Sequence, residues 1–448
     1  MKFQKFSLVC ITLLLLSSAF VWAGGEQEAA QGSAGDQELV FWHTFTQPVR
    51  IDFMKKAAAE FEKENNCKVK IEVVPWGKVD EKWITAQGAN SLPDVMVGTP
   101  NNALAAWLAG ASNPCDQVFE EMGGNDFFMP GVVDKFSKYD GQLVSLPFYA
   151  HTRLFLYRKD IFKEVGVTPP TNWKEFVDVT AALNNPPERY GFIQLWGPQD
   201  RGATLMLYTM LRSNGTSFFD QSGEPQFLKP EFIETVDFLI DLYKAGSPQG
   251  ELSLSSHEAT WPLFESGKTA IALDTLFAAG IFKTDRPELW EQGAFGVFAP
   301  PKNENSDREK GYFSDSPSLI NTKGANDELA AKFMKFLYQT DRYVEFLLTI
   351  PAGQFPLTTD AAKSDAFWNH PLLSELQDGV EITLDGIEGA GTPFGMRYGL
   401  NNYASVVGTG MIEKMMANII LKGMDTKKAA ALAQEELVQA LEEIKKRM

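Results

Sequence analysis

Four histidines, His43, His151, His257 and His370, are scattered through the 448 residues without the short spacing that metal ligands on one helix or turn require. No Gly-x-Ser-x-Gly turn presents a nucleophile, and no phosphate-binding loop is present. Among 58 acidic residues, none is marked by its surroundings as half of a carboxylate pair for glycoside cleavage. What recurs instead is aromatic and polar side chains at turns that follow short extended runs. His43-Thr44 ends one apolar run, Trp76 and Trp196 each stand beside a glycine, and Thr99-Pro100-Asn101 follows Val95-Met96-Val97. Asp274-Thr275 ends another run, and residues 149–153, from Tyr149 through His151, mix aromatic and polar types. Side chains of this kind, converging from loops, hold a ligand by stacking and hydrogen bonding without transforming it.

Such turns matter only if the elements behind them bring them together. Residues 39–42 form an apolar run, after which Met54, Ala57, Ala58 and Phe61 carry helical spacing. Thr46 is placed to cap that helix, with Pro48 in its first turn, where a missing N–H costs nothing. Residues 68–73 alternate apolar and charged, as a half-exposed edge strand does, and residues 79–89 read as a second helix before the buried strand at 95–97. Strand, helix, strand, helix, strand opens a parallel α/β sheet, and ligands meet such a sheet at the C-terminal ends of its strands. Further on, residues 143–147 and 192–195 read as strands, and Asn172 with Glu175 has the spacing of a capping box. The run 269–273 reads as a buried strand expected to return to the first sheet, and after Asn321 nearly everything reads as helix.

At the N-terminus, Lys2 and Lys5, an apolar run over 6–20 and then Val21-Trp22-Ala23 fit an export signal (1–23) cleaved after Ala23. The apolar run is short for a membrane span. Residues 24–35 have the composition of a flexible tether. The formal net charge is −17, or −19 without the two signal lysines, which argues against a nucleic-acid partner. Cys67 and Cys115 remain after signal removal, and their spacing does not say whether they pair.

Several blocks together resemble the extracellular solute-binding proteins of the sugar-uptake, maltose-binding-protein-like type. They are Leu39-Val40-Phe41-Trp42-His43 with the helix after it, and Leu92-Pro93-Asp94-Val95-Met96-Val97. Next come Leu146-Pro147-Phe148 leading to Tyr157-Arg158-Lys159-Asp160, Pro169-Pro170-Thr171-Asn172-Trp173, and Phe264-Glu265-Ser266-Gly267 with the run after it. The last begins at Asp327-Glu328-Leu329. The resemblance implies an α/β, two-lobe periplasmic-binding-protein fold with three interlobe crossovers and a helical C-terminal region. The N-terminal lobe would comprise 36–147 and 270–317, and the C-terminal lobe 148–269 and 318–448.

On the family's pattern, His43 and Thr44 lie on the first ligand loop, and Asp80 and Glu81 fall where relatives place an acidic pair. Asn101 stands where they carry a carboxylate and His151 where they carry a glutamate. Trp196 follows a strand of the second lobe, Asp274 follows the returning strand, and Arg397 lies in the C-terminal region that closes over the cleft. Trp76, Thr99 and Tyr149 complete the expected ligand-binding set, whereas Trp42 and Trp83 read as core. The implied protein is a periplasmic monomer that captures a carbohydrate between its lobes and passes it to the membrane permease subunits of an ABC importer. It needs no cofactor and catalyses nothing. An exported glycoside hydrolase, and the same fold holding a polyol, phosphodiester or oligopeptide, are the alternatives.

Overall fold

The computed structural model describes residues 37–139, 141–193, 196, 202–220, 224–246, 260–308, 310–389 and 410–447. The expected export signal and tether, and Arg397, lie outside the described residues.

The chain opens with β1 (Glu38–His43), α1 (Pro48–Asn65), β2 (Lys68–Val73), α2 (Val79–Gly88), β3 (Val95–Gly98) and α3 (Pro100–Leu108). β1 pairs in parallel with β2 on one side and β3 on the other, and β2 is the edge strand that its alternation predicts. The strand Ser318–Asn321 runs antiparallel to β3, and the short strand Leu146–Pro147 completes the five-stranded sheet. α1 buries Phe53, Met54, Ala57, Ala58 and Phe61, as its spacing requires. The ring of Phe61 meets those of Phe333 and Phe336 edge-on, with centroids 5.0 and 5.2 Å away. Burying one such ring is worth about 1.5–3 kcal/mol. The helix does not start as expected: Gln47 is its N-cap, no side chain caps it, and Pro48 alone sets the first turn.

A second sheet has the order Phe295–Phe298, Leu154–Arg158, Thr269–Asp274, Tyr190–Phe192. This corrects the expectation that 269–273 returns to the first sheet. Its residues pair antiparallel with Leu154–Arg158, Ile271 opposite Tyr157 and Leu273 opposite Phe155. An apolar run shows that a strand is buried on both faces, not which strands flank it. The lobe boundaries shift accordingly. The stretch from 270 to 298 builds the second sheet, whereas Ser318–Asn321 and the helices Asp327–Leu337 and Thr340–Leu347 pack with the first. The helices Met411–Lys422 and Thr426–Arg447 lie on the second sheet's core, which contains Met411, Met415 and Ala430.

Three passes therefore join the lobes. The first two form an antiparallel ribbon, His151–Thr152 against Ser314–Asp315. The third is the helix Gln377–Gly389, which lies across this ribbon. Thr152 Oγ1 donates to the Thr383 carbonyl at 2.9 Å and lies 2.7 Å from Ser314 Oγ. A Cβ at Gly386 would sit 2.3 Å from Thr152 Oγ1, so glycine is what lets the helix come this close.

The 143–147 strand is interrupted, as Gln142–Leu143 and Leu146–Pro147; Phe192 ends the strand Tyr190–Phe192, and 194–195 of the expected 192–195 strand lie outside the described residues. Asn172 caps the helix Trp173–Leu183 by accepting from the Glu175 N–H, while the Glu175 carboxylate reaches back to the N–H and hydroxyl of Thr171, and further hydrogen bonding from Asn172 helps hold its pKa below the ordinary carboxylate value. Cys67 and Cys115 are free and buried.

Candidate functional site

β1 delivers His43 and Thr44 to the junction between the sheet and the interlobe passes, but both are buried rather than displayed. The His43 ring stacks on Phe45 at 5.2 Å, and its Nδ1 accepts a hydrogen bond from the Phe45 N–H at 3.3 Å. Burial, reinforced by the nearby Arg50 cation, lowers the His43 pKa to about 4, so the imidazole is neutral at pH 7. Among the described residues, His43 Nε2 and Thr44 Oγ1 are buried without a hydrogen-bond partner. Arg50, in the first turn of α1, lies over the Phe45 ring with Cζ 3.7 Å from its centroid, and its Nη2 donates to Tyr149 Oη at 2.9 Å.

Tyr149 leads into the first pass, and its ring lies 6.0 Å from that of His151. His151 Nε2 abuts Asp315 Oδ1 across the ribbon. Burial would raise the Asp315 pKa, but the charge and hydrogen bond of His151, with Arg153 beyond it, hold the carboxyl below its ordinary range. Arg153 Nη1 is 3.8 Å from Asp274 Oδ1, and that oxygen accepts from the Thr275 N–H at 2.6 Å. His43, Tyr149, His151 and Asp274 are thus tied into one belt, from the end of β1, along the ribbon, to the end of a central strand of the second sheet.

The remaining expected residues divide. Trp42 faces Met96 in the β1–β3 register, so the turn after β3 emerges beside that after β1. There Thr99 caps α3: its hydroxyl accepts from the Asn102 N–H, and its own N–H donates to Asn102 Oδ1. Asp80 accepts from Asn102 Nδ2 at 2.6 Å and so joins α2 to α3. Asn101 Oδ1 is buried without a hydrogen-bond partner among the described residues. Trp76, on the turn before α2, is 37% exposed. Glu81 pairs with Lys78 and lines a surface groove of about 770 Å³ with Val40, Trp42 and Lys82, away from the belt. Trp196 is 4% exposed and packs edge-on to Tyr243 in the second core.

Arg50, Arg153 and Asp315 were missed. A signal existed for two of them. In an extended stretch, residues 151 and 153 face the same way, and Asp315 ends the extended piece that the sequence shows at 312–315. Arg50 lies inside a helical pattern and gave none.

The model of bacterial extracellular solute-binding proteins matches residues 47–341. A mannitol-binding protein of Pseudomonas aeruginosa is 30% identical over 266 residues, 58% of this chain and 51% of that protein, so the match spans about half of the relative. The putative ABC transporter periplasmic-binding protein YcjN of Escherichia coli K12 is 23% identical over 442 residues, 96% of this chain and 99% of its own. A sugar transporter of Arthrobacter chlorophenolicus A6, solved with bound laminaribiose, shares the fold. It has a TM-score of 0.77 at 20% identity, over 90% of this chain and 99% of that one. Both the family and the fold are those of solute-binding proteins, not of enzymes. With two lobes, three passes between them and a family match over most of its length, the chain belongs to the bacterial extracellular solute-binding proteins.

Proposed function

We propose that the protein captures a carbohydrate between its lobes and delivers it to the permease subunits of an ABC importer. The observation that carries this reading is the belt of planar polar side chains at the strand ends and along the ribbon. At these strand ends the buried His43 Nε2, Thr44 Oγ1 and Asn101 Oδ1 have no hydrogen-bond partner among the described residues. Buried polar atoms are ordinarily satisfied, and hydroxyl groups of a sugar suit both donors and acceptors. Trp76 adds an exposed aromatic face at the neighbouring turn. Closure of the lobes about the ribbon would bury the ligand and present a joint surface to the permease, a hinge transition biased by contacts on both sides.

Residues 1–23 would direct export and 24–35 tether the fold, placing a monomer in the periplasm. A second reading, an open-chain polyol in the same place, is favoured by the 30% identity to a mannitol-binding protein. Calorimetry with D-mannitol, D-glucose, maltose and laminaribiose tests both. Saturable heat with at least one of them is expected, with a change in tryptophan emission that Trp76→Phe diminishes. If amino acids or peptides alone gave heat, the substrate class would be wrong.

A further inference from the structure

Arg50 is a buried cation, and among the described residues no carboxylate pairs with its guanidinium. Its Cζ lies 3.7 Å from the Phe45 ring centroid and 5.4 and 5.7 Å from those of Tyr149 and Phe346. Nη1 donates to Gln47 Oε1 at 3.4 Å and Nη2 to Tyr149 Oη at 2.9 Å, and Nε has no hydrogen-bond partner among the described residues. Burying an unpaired charge is costly. What this one does is visible in its neighbours.

Two of them are fixed as donors. A guanidinium can only donate, so the Tyr149 oxygen spends a lone pair on Arg50 and its own hydrogen points elsewhere. Among the described residues that hydrogen has no acceptor. In His43, Nδ1 accepts from the Phe45 N–H at 3.3 Å. A backbone N–H also can only donate, so while the ring is neutral its single proton sits on Nε2, the buried nitrogen left without a partner. Burial and the Arg50 cation both keep that ring neutral. Phe45 links the group, its centroid 5.2 Å from that of His43 and 6.5 Å from that of Tyr149.

We infer that Arg50 is a positioning residue that sets His43 as an Nε2–H donor and Tyr149 as an O–H donor, so that the first lobe holds its ligand by the lone pairs of ligand oxygens. The inference rests on the belt being the binding site. Arg50 does not touch the ligand. It acts through Tyr149, whose hydrogen it turns away from itself, and through His43, whose second protonation it opposes.

Nitrogen-15 NMR of the imidazoles at pH 7 reads the tautomer in the ligand-free wild type. Protonation of His43 on Nε2 is expected, and protonation on Nδ1 overturns the inference. Arg50→Met should raise the His43 midpoint from about 4 toward 6.5, and Arg50→Lys, which keeps the charge, should raise it less. An unmoved midpoint in Arg50→Met overturns the hold on His43. Calorimetry then follows whichever of D-mannitol, D-glucose, maltose and laminaribiose gives heat, in the wild type, Arg50→Met, Tyr149→Phe and the double variant. Each single change should weaken binding about tenfold, the worth of one hydrogen bond, and the double variant should lose no more than about threefold beyond either. Losses that multiply to about a hundredfold overturn the positioning role through Tyr149 and leave the proposed function intact. Where Arg50→Met does not fold, Arg50→Lys takes its place in this cycle. Heat from none of the four solutes removes the proposed function and the ligand's part in the inference, whereas the tautomer and the midpoint still decide whether Arg50 sets the donors.

Discussion

His43 makes a quantitative prediction, because its burial and its charge state are opposed. In the folded protein the ring sits between Phe41 and Phe45, with the Arg50 cation nearby, and its pKa falls from the ordinary 6.5 to about 4. The unfolded chain therefore takes up this proton at a higher pH than the folded one. Stability contributed by neutral His43 is complete above pH 6.5, drains away as pH falls from 6.5 to about 4, and is gone below that. At about 1.4 kcal/mol per pH unit, the interval amounts to ~3 kcal/mol. Urea unfolding of the wild type and of His43→Gln, followed by tryptophan emission across this range, isolates the effect as the difference between two stability curves. That difference should change by ~3 kcal/mol between pH 7 and 4, in the direction of a wild type losing more on acidification. NMR of the imidazole protons gives a direct check, with a midpoint for His43 near 4. A flat difference curve, or a midpoint near 6.5, would refute the reasoning that burial and Arg50 keep the ring neutral.

Three further outcomes are expected. Asp94 is buried and accepts from the Val40 N–H and the Asn326 N–H, both at 2.7 Å, pinning β1 to the segment after Ser318–Asn321. Asp94→Ala should cost about 3 kcal/mol in chemical denaturation, since each orphaned N–H costs about 1–3 kcal/mol, and Asp94→Asn should cost less. Tyr149→Phe removes the oxygen that accepts from buried Arg50 and should lower stability by about 2 kcal/mol at pH 7 in the same assay. Burial pushes the Cys115 thiol up to about 12, so at pH 8 it should react with Ellman's reagent only after unfolding. Prompt reaction in the native state would show that the core around Cys115 opens.

Much of the fold was legible because it depends on local periodicity. The spacing of Phe53, Met54, Ala57 and Phe61 marks one buried helical face, and the alternation at 68–73 marks a strand with one wet side. Both are settled by which neighbours in sequence are apolar. The turns at the ends of β1 and β3 were also legible, since a strand followed by a cap such as Thr99 announces where it stops. The order of blocks along the chain was enough to indicate the family and its two lobes.

Pairings across long sequence separations were not legible. The run at 269–273 states that both its faces are dry, yet only its register with Leu154–Arg158 decides that it belongs to the second sheet. The family resemblance, not the local sequence, makes Asp80 a ligand candidate, and only the approach of α3 shows that it accepts from Asn102. His43 looks exposed at a strand end until Arg50 and the aromatic residues around it close over the turn. The belt is the clearest case. Tyr149, His151 and Arg153 are neighbours in sequence, but their partners Arg50, Asp315 and Asp274 are brought from the first helix, the second pass and the second sheet. Side-chain type and spacing determined the elements and their turns. Only the tertiary structure decided which charges meet, because a charge's partner is set by where the chain returns and not by what stands beside it.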